Sequence, residues 1–138
     1  MATLTKFYCF VEDLSEEKHN LSSDVLTVAL VAAANAPSLS NTVLANLTQI
    51  AYTYCSSRVL SIISSGQTTG LYKLILSDLT LTASGGSVGP FRYIIVFNDT
   101  APNDELIGYL DYGSDLTLAD GESLTLDFSP TNGAIQIT

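Results

Sequence analysis

The chain has 138 residues, 46% of them hydrophobic and only 14% charged, and fourteen acids against five bases give a formal charge of −9. That length fits one domain, and the acidic balance argues against non-specific nucleic-acid binding, in which Lys and Arg must displace phosphate counterions. A mean hydropathy of +0.31 with so few charges leaves a surface of Ser, Thr, Asn and apolar side chains, which suits burial against partners. The longest apolar stretch, residues 25–36, is about twelve residues and falls short of the roughly 20 that a membrane-spanning helix needs. No basic region followed by an apolar core and a small-residue cleavage site opens the chain, so neither membrane insertion nor a secretory leader is expected. Cys9 and Cys55 are then expected to be buried thiols rather than a disulfide.

In chain order, Thr5 reads as a helix N-cap, and Phe7, Phe10, Val11, Leu14 and Leu21 form one apolar stripe. This predicts an amphipathic helix over about residues 5–18, with Glu12, Asp13, Glu16, Glu17 and Lys18 on its solvent face and His19 at its C-terminal end, where the dipole favours it. Residues 25–31 are β-branched and flanked by turn residues, which predicts a strand. Residues 32–54 read as a long surface segment in which Val43, Leu44 and Leu47 tuck onto the body, and a loop of that length is usually a binding or assembly element. Strands follow at 59–63 and 71–76 around a flexible turn at 64–70. Residues 79–83 alternate cleanly, which buries one face and leaves a threonine surface on the other.

The apolar run from Phe91 to Phe97, interrupted only by Arg92, reads as a strand buried on much of both faces. It leads through a turn rich in Asn, Asp and Pro at 98–104 into a partner strand at 105–112. Alternation there puts Ile107, Tyr109 and Asp111 on one face and Leu106, Leu110 and Tyr112 on the other. This hairpin is the predicted centre of the fold. Gly85, Gly86, Gly89 and Pro90 mark an irregular crossing into it rather than a phosphate cradle, because a strand and not a helix follows. Short strands at 116–118, 123–128 and 134–137 close the chain, with Asn132-Gly133 a hairpin cue for the last. The whole reads as a mainly β protein, an antiparallel β-sandwich with jelly-roll-like or Greek-key connections and an N-terminal helix.

No constellation of nucleophile and base stands out. His19 is the only histidine, Cys55 has only Arg58 near it in sequence, and no Cys and His spacing suggests zinc. Asp99, Asp104, Glu105, Asp111, Asp115, Asp120 and Glu122 crowd the C-terminal half, but their spacing matches no calcium loop and turn formation accounts for them. Arg92 either stacks at the sheet rim beside Tyr93 or pairs across strands with Asp111, with pairing the expectation. No catalytic residue, metal or cofactor is expected.

Several segments carry a resemblance: Lys6-Phe7 with Phe10-Val11-Glu12, His19-Asn20-Leu21, Ser23-Asp24, Val28-Ala29-Leu30, the stretch from Gly85 to Tyr93, Phe97-Asn98-Asp99-Thr100, the stretch from Leu106 to Ser114, and Leu118-Ala119-Asp120-Gly121-Glu122. In these the chain resembles the small virion structural proteins of tailed bacteriophages, over nearly its whole length. The resemblance implies a non-enzymatic capsid decoration protein made in the host cytoplasm and resident on the particle, with the major capsid protein and further copies of itself, expected as trimers, for partners. The candidate contact residues are Phe7 and Phe10 in the N-terminal helix, Val43 and Leu44 in the long segment, and Tyr52 and Tyr54 after it. The alternative is a tail-associated fibre or adhesin module presenting Tyr52, Tyr54, Tyr109 and Tyr112 to a host surface component.

Overall fold

A computed structural model describes residues 2–138. The apolar run singled out in the sequence is its middle: β6 (Val88–Asn98) pairs antiparallel with β7 (Leu106–Leu118) on one side and with β2 (Leu26–Val31) on the other, and a short β1 (Thr5–Lys6) completes the sheet in the order β1-β7-β6-β2. β2 and the second half of β6 are buried on both faces, as expected of strands made of Val, Ile, Leu and Phe. Two smaller antiparallel sheets lie apart from it. β3 (Ile62–Thr68), β4 (Leu71–Leu76) and β9 (Ile135–Ile137) form one in the order β3-β4-β9, and β5 (Leu79–Thr82) pairs with β8 (Ser123–Leu126) in the other.

One face of the central sheet, carrying Val28, Leu30, Ile94, Val96 and Ile107, packs against Leu74 and Leu76 of β4, Leu81 of β5, Leu126 of β8 and Ile135 of β9. Its other face, carrying Ala29, Val31, Ile95, Phe97 and Leu106, is covered by Phe7 and by the half-buried Leu44 and Leu47 of the long segment. The architecture is therefore mainly β and sandwich-like, with a third, irregular layer over the outer face. Each large side chain buried between layers contributes about 2 kcal/mol, and Phe91, Leu30, Ile95 and Leu106 are all fully buried. On the β5–β8 sheet the solvent face is a hydroxyl ladder, with Thr80 opposite Thr125 at 3.0 Å and Thr82 opposite Ser123 at 2.8 Å.

Four expectations are corrected. The N-terminal helix α1 is Cys9–Ser15 with Tyr8 at its N-cap, not residues 5–18 from a Thr5 cap, because Thr5 and Lys6 pair with Tyr109 and Gly108 as β1. Within it Phe10 and Asp13 are buried while Val11 is 63% exposed, so Val11 belongs to the outer face and Asp13 to the inner. The flexible turn expected at 64–70 shrinks to Thr69-Gly70, since Ser64 to Thr68 pair residue for residue with β4. The run 113–115 does not separate two strands: Gly113, at φ +100°, lets β7 continue to Leu118. Finally, the closing strand makes no hairpin with β8 and pairs instead with β4, through Tyr72–Ile137 and Leu74–Ile135.

The faces of β7 are reset as well. Phe97 stands opposite Leu106 and Val96 opposite Gly108, so Ile107 is the extra residue of a β-bulge. Leu106 and Tyr109 thereby share the outer face while Ile107 and Leu110 face the inner core. The start of β6 is as irregular as expected, with a register shift between Val88 and Phe91. Gly89 has φ +125°, and a Cβ there would stand 2.7 Å from Leu116 O and 3.0 Å from Thr117 Cα.

Candidate interaction surface

The turn at 98–104 and the end of α1 are joined by one polar node. Asn98 Oδ1 accepts hydrogen bonds from Thr100 N and Ala101 N at 3.0 and 3.1 Å, an Asx-type turn within the turn expected at 98–104. Its Nδ2 reaches Asp24 Oδ2 at 2.6 Å, Lys18 O at 3.2 Å and His19 Nδ1 at 3.0 Å. His19 lies beyond the helix, 5% exposed and stacked on Phe10 at 5.6 Å, so its environment is a buried pocket and not a helix dipole. Burial holds its pKa below the ordinary 6.5, against the opposing pull of Asp13, Glu105 and Asp24. Beside it opens a groove of about 710 Å³ lined by Leu14, Leu21, Tyr72 and Ile137 with Ser65 and His19.

Arg92 both pairs and stacks. Its Nε and a terminal nitrogen donate to Asp111 Oδ1 and Oδ2 at 2.7 and 3.0 Å, and its guanidinium stands 5.3 Å from the Tyr93 ring centroid. The bidentate bond from Arg92, with a further one from Gly113 N, lowers the Asp111 pKa. Both cysteines are free thiols. Burial, reinforced by Asp13, pushes Cys9 up to about 11, and burial also raises Cys55, so neither is an activated nucleophile at neutral pH. Among the described residues no group of three or more His, Cys, Asp or Glu side chains is arranged to hold a metal ion.

The six contact residues expected from the sequence divide. Phe7 and Phe10 are 2% and 1% exposed; they are core side chains and leave that set. Val43 and Leu44 are half-buried: Val43 bridges to Glu105, and Leu44 packs against the outer-face cluster. Tyr52 works inside the fold, its hydroxyl donating to Gln49 Oε1 at 2.7 Å and accepting from Leu30 N at 2.9 Å while Arg58 lies 3.6 Å over its ring. Tyr54 alone is well exposed, at 45%. Its ring lies flat on Gly86, where an added Cβ would come within 2.5 Å of it. Of the other tyrosines named for the adhesin alternative, Tyr112 is exposed and Tyr109 is half-buried against Phe7 and Tyr93.

Sequence reasoning passed over the more exposed apolar side chains. Tyr8 and Val11 of the α1 turn are 68% and 63% exposed, and Ile63, beside the β3 bulge, is 64% exposed; Val25 and Val59 are about half exposed. Val11 was hidden because its spacing from Phe7 imitates a buried stripe. Ile63 was hidden because it follows Ile62, whose side chain packs on the core. No protein-family model, no curated protein and no solved structure matches the chain.

Proposed function

We propose that the protein is a structural component of a tailed-phage particle, a decoration protein that adheres to the capsid through protein–protein contacts and catalyses no reaction. The observation that carries this reading is the set of exposed apolar side chains, Tyr8, Val11, Val25, Tyr54, Val59, Ile63 and Tyr112, on a β body whose surface bears few charges. Apolar side chains displayed on a fixed helix, strands and turns are suited to docking on a protein surface, since little conformational freedom is lost on binding. The surface totals 6760 Å², so each standard interface of about 800 Å² per partner covers roughly an eighth of it. Two or three such contacts, to the major capsid protein and to copies of itself, bury much of the exposed apolar area. The order-dependent sequence resemblance to virion structural proteins supports the same reading.

Particles produced without the gene test it. The expected result is loss of density on the capsid surface together with lower resistance to heat and osmotic shock; unchanged capsids with unchanged resistance overturn the proposal. Copy number separates it from the adhesin alternative, because a lattice-bound protein is among the abundant bands of purified virions and a tail-tip adhesin is a trace one.

A further inference from the structure

We infer that the outer edge of β3 is a pairing site for the same edge of a second copy of this chain, joining two three-stranded sheets into one continuous six-stranded sheet across a two-fold axis. The first observation is how the chain treats its other sheet edges. The free side of β2 is closed by residues 50–60: Val28 N donates to Arg58 O, Leu60 N to Leu26 O, Ile50 N to Leu30 O and Leu30 N to the Tyr52 hydroxyl. The N-terminal segment covers β9, through Leu4 N to the O of Ala134 just before it and through Lys6 Nζ to Gln136 O, and β5 is closed by Ser56, which exchanges bonds with Thr82. β8 is only four residues long, and the free flank of β7 beyond β1 carries Asp111, Asp115 and the bend at Gly113. These are the devices that keep sheet edges from pairing.

Beyond the bulge at Ile62–Ser64, β3 has none of them over residues 64–68. It stands at the end of its sheet, and among the described residues no segment of the chain hydrogen-bonds to the outer side of 64–68. Its backbone groups there are well placed. Ala134 N donates to Leu74 O at 2.8 Å, so the Leu74 carbonyl faces β9, and Ser65, opposite Leu74 in β3, has its N–H and C=O directed away from β4. Gln67, two residues on, repeats the orientation. An antiparallel copy centred on Gly66 matches Ser65 of each chain with Gln67 of the other, and each such pair exchanges two N–H···O=C bonds. The arrangement is self-complementary, as an isologous contact requires.

The symmetric Ser65–Gln67 register points to a second copy as the occupant, and the charge pattern at this edge does not oppose it. Two molecules of charge −9 repel, yet residues 59–72 contain no charged side chain, and Arg58 and Lys73, two of the five bases, flank them. The paired strands therefore bring no like charges opposite one another. Val59 and Ile63, about half and two-thirds exposed, lie on the same stretch, and the groove beside His19 opens at Ser65. Gly66 adds a separate sign. It has no unusual φ and nothing within 4 Å of the place a Cβ would occupy, so the fold makes no demand for glycine there, whereas glycine inside a strand commonly marks the approach of another backbone.

Strand pairing buries less than the roughly 800 Å² per partner of a standard interface, so the pair forms reversibly as concentration rises. The test is light-scattering mass across a concentration series, on the wild type and two edge variants. Ile63→Lys adds a charge on the exposed edge, and Ser65→Pro removes an N–H that β4 does not use. The wild type is expected to rise from 14.7 kDa toward twice that mass, and both variants, still folded by circular dichroism, are expected to remain at the monomer mass. A wild type that stays monomeric into the millimolar range overturns the inference. So does a dimer or trimer that both variants leave intact, since another face would then hold it. The result is independent of the particle assignment, which the gene-deletion experiment tests separately.

Discussion

The outer flanks of β2 and β3 are built in opposite ways within one molecule. β2 is Leu, Thr, Val, Ala, Leu and Val, buried throughout, and residues 50–60 are laid along it with main-chain bonds, a tyrosine hydroxyl and an arginine that donates to Val28 O and stacks on Tyr52. β3 is Ile, Ile, Ser, Ser, Gly, Gln and Thr, mostly exposed, and its flank has no such strap. Leaving the groups of a buried apolar strand unbonded costs about 1–3 kcal/mol each, so β2 must be sealed for the chain to fold as it does. Exposed groups on β3 are hydrated and carry no such penalty. A bare edge is therefore a cheap place to offer backbone bonds to another protein.

The largest expected effect comes from unsealing β2. Tyr52→Ala removes the hydroxyl bonded to Leu30 N and the ring under Arg58, and should lower stability by about 3 kcal/mol in urea denaturation. A loss under ~1 kcal/mol would mean that the strap is ornamental. Next, Gly86→Ala drives a methyl group into the Tyr54 ring and should cost about 1 kcal/mol while shifting the tyrosine fluorescence. Smaller is the response to acid. His19 has a folded pKa below its unfolded value, so the unfolded chain takes up the proton first, and stability should decline as pH falls below about 6.5. His19→Gln should flatten that part of the profile, leaving the acid-range loss expected when Asp111 is protonated away from Arg92. Smallest is the effect of Ile63→Lys on the monomer, within about 0.5 kcal/mol, because nothing inside the chain depends on that side chain. A larger loss would show that the β3 edge is used internally.

The sequence made the two-sided strands plain and hid the edges. The run at 91–97 is legible because burial on both faces demands continuous apolar residues, and the alternation at 79–83 because burial on one face demands period two. Arg92 with Asp111 was legible as the only base in that run with an acid near it on the facing strand. Residues 64–68 were not, because Ser, Gly and Gln have little strand preference of their own and are held by pairing with β4. The helix start was misplaced because a contact a hundred residues away, between Thr5–Lys6 and Gly108–Tyr109, outweighs the local capping signal. The bulge at Ile107 leaves no trace in the alternation. Of the candidate contact residues, Tyr54 is exposed while Phe7 and Phe10 are buried, since a stripe of phenylalanines on an amphipathic helix is core before it is interface.

Hydrogen–deuterium exchange at low and high protein concentration tests the contrast between the two edges most directly. The account predicts that amides of Leu26 to Leu30 are protected at both, whereas those of Ser65 and Gln67 exchange within the dead time when dilute and slow as concentration rises. Ser65 and Gln67 amides that exchange at one unchanged rate, fast or slow, across the whole range would contradict it.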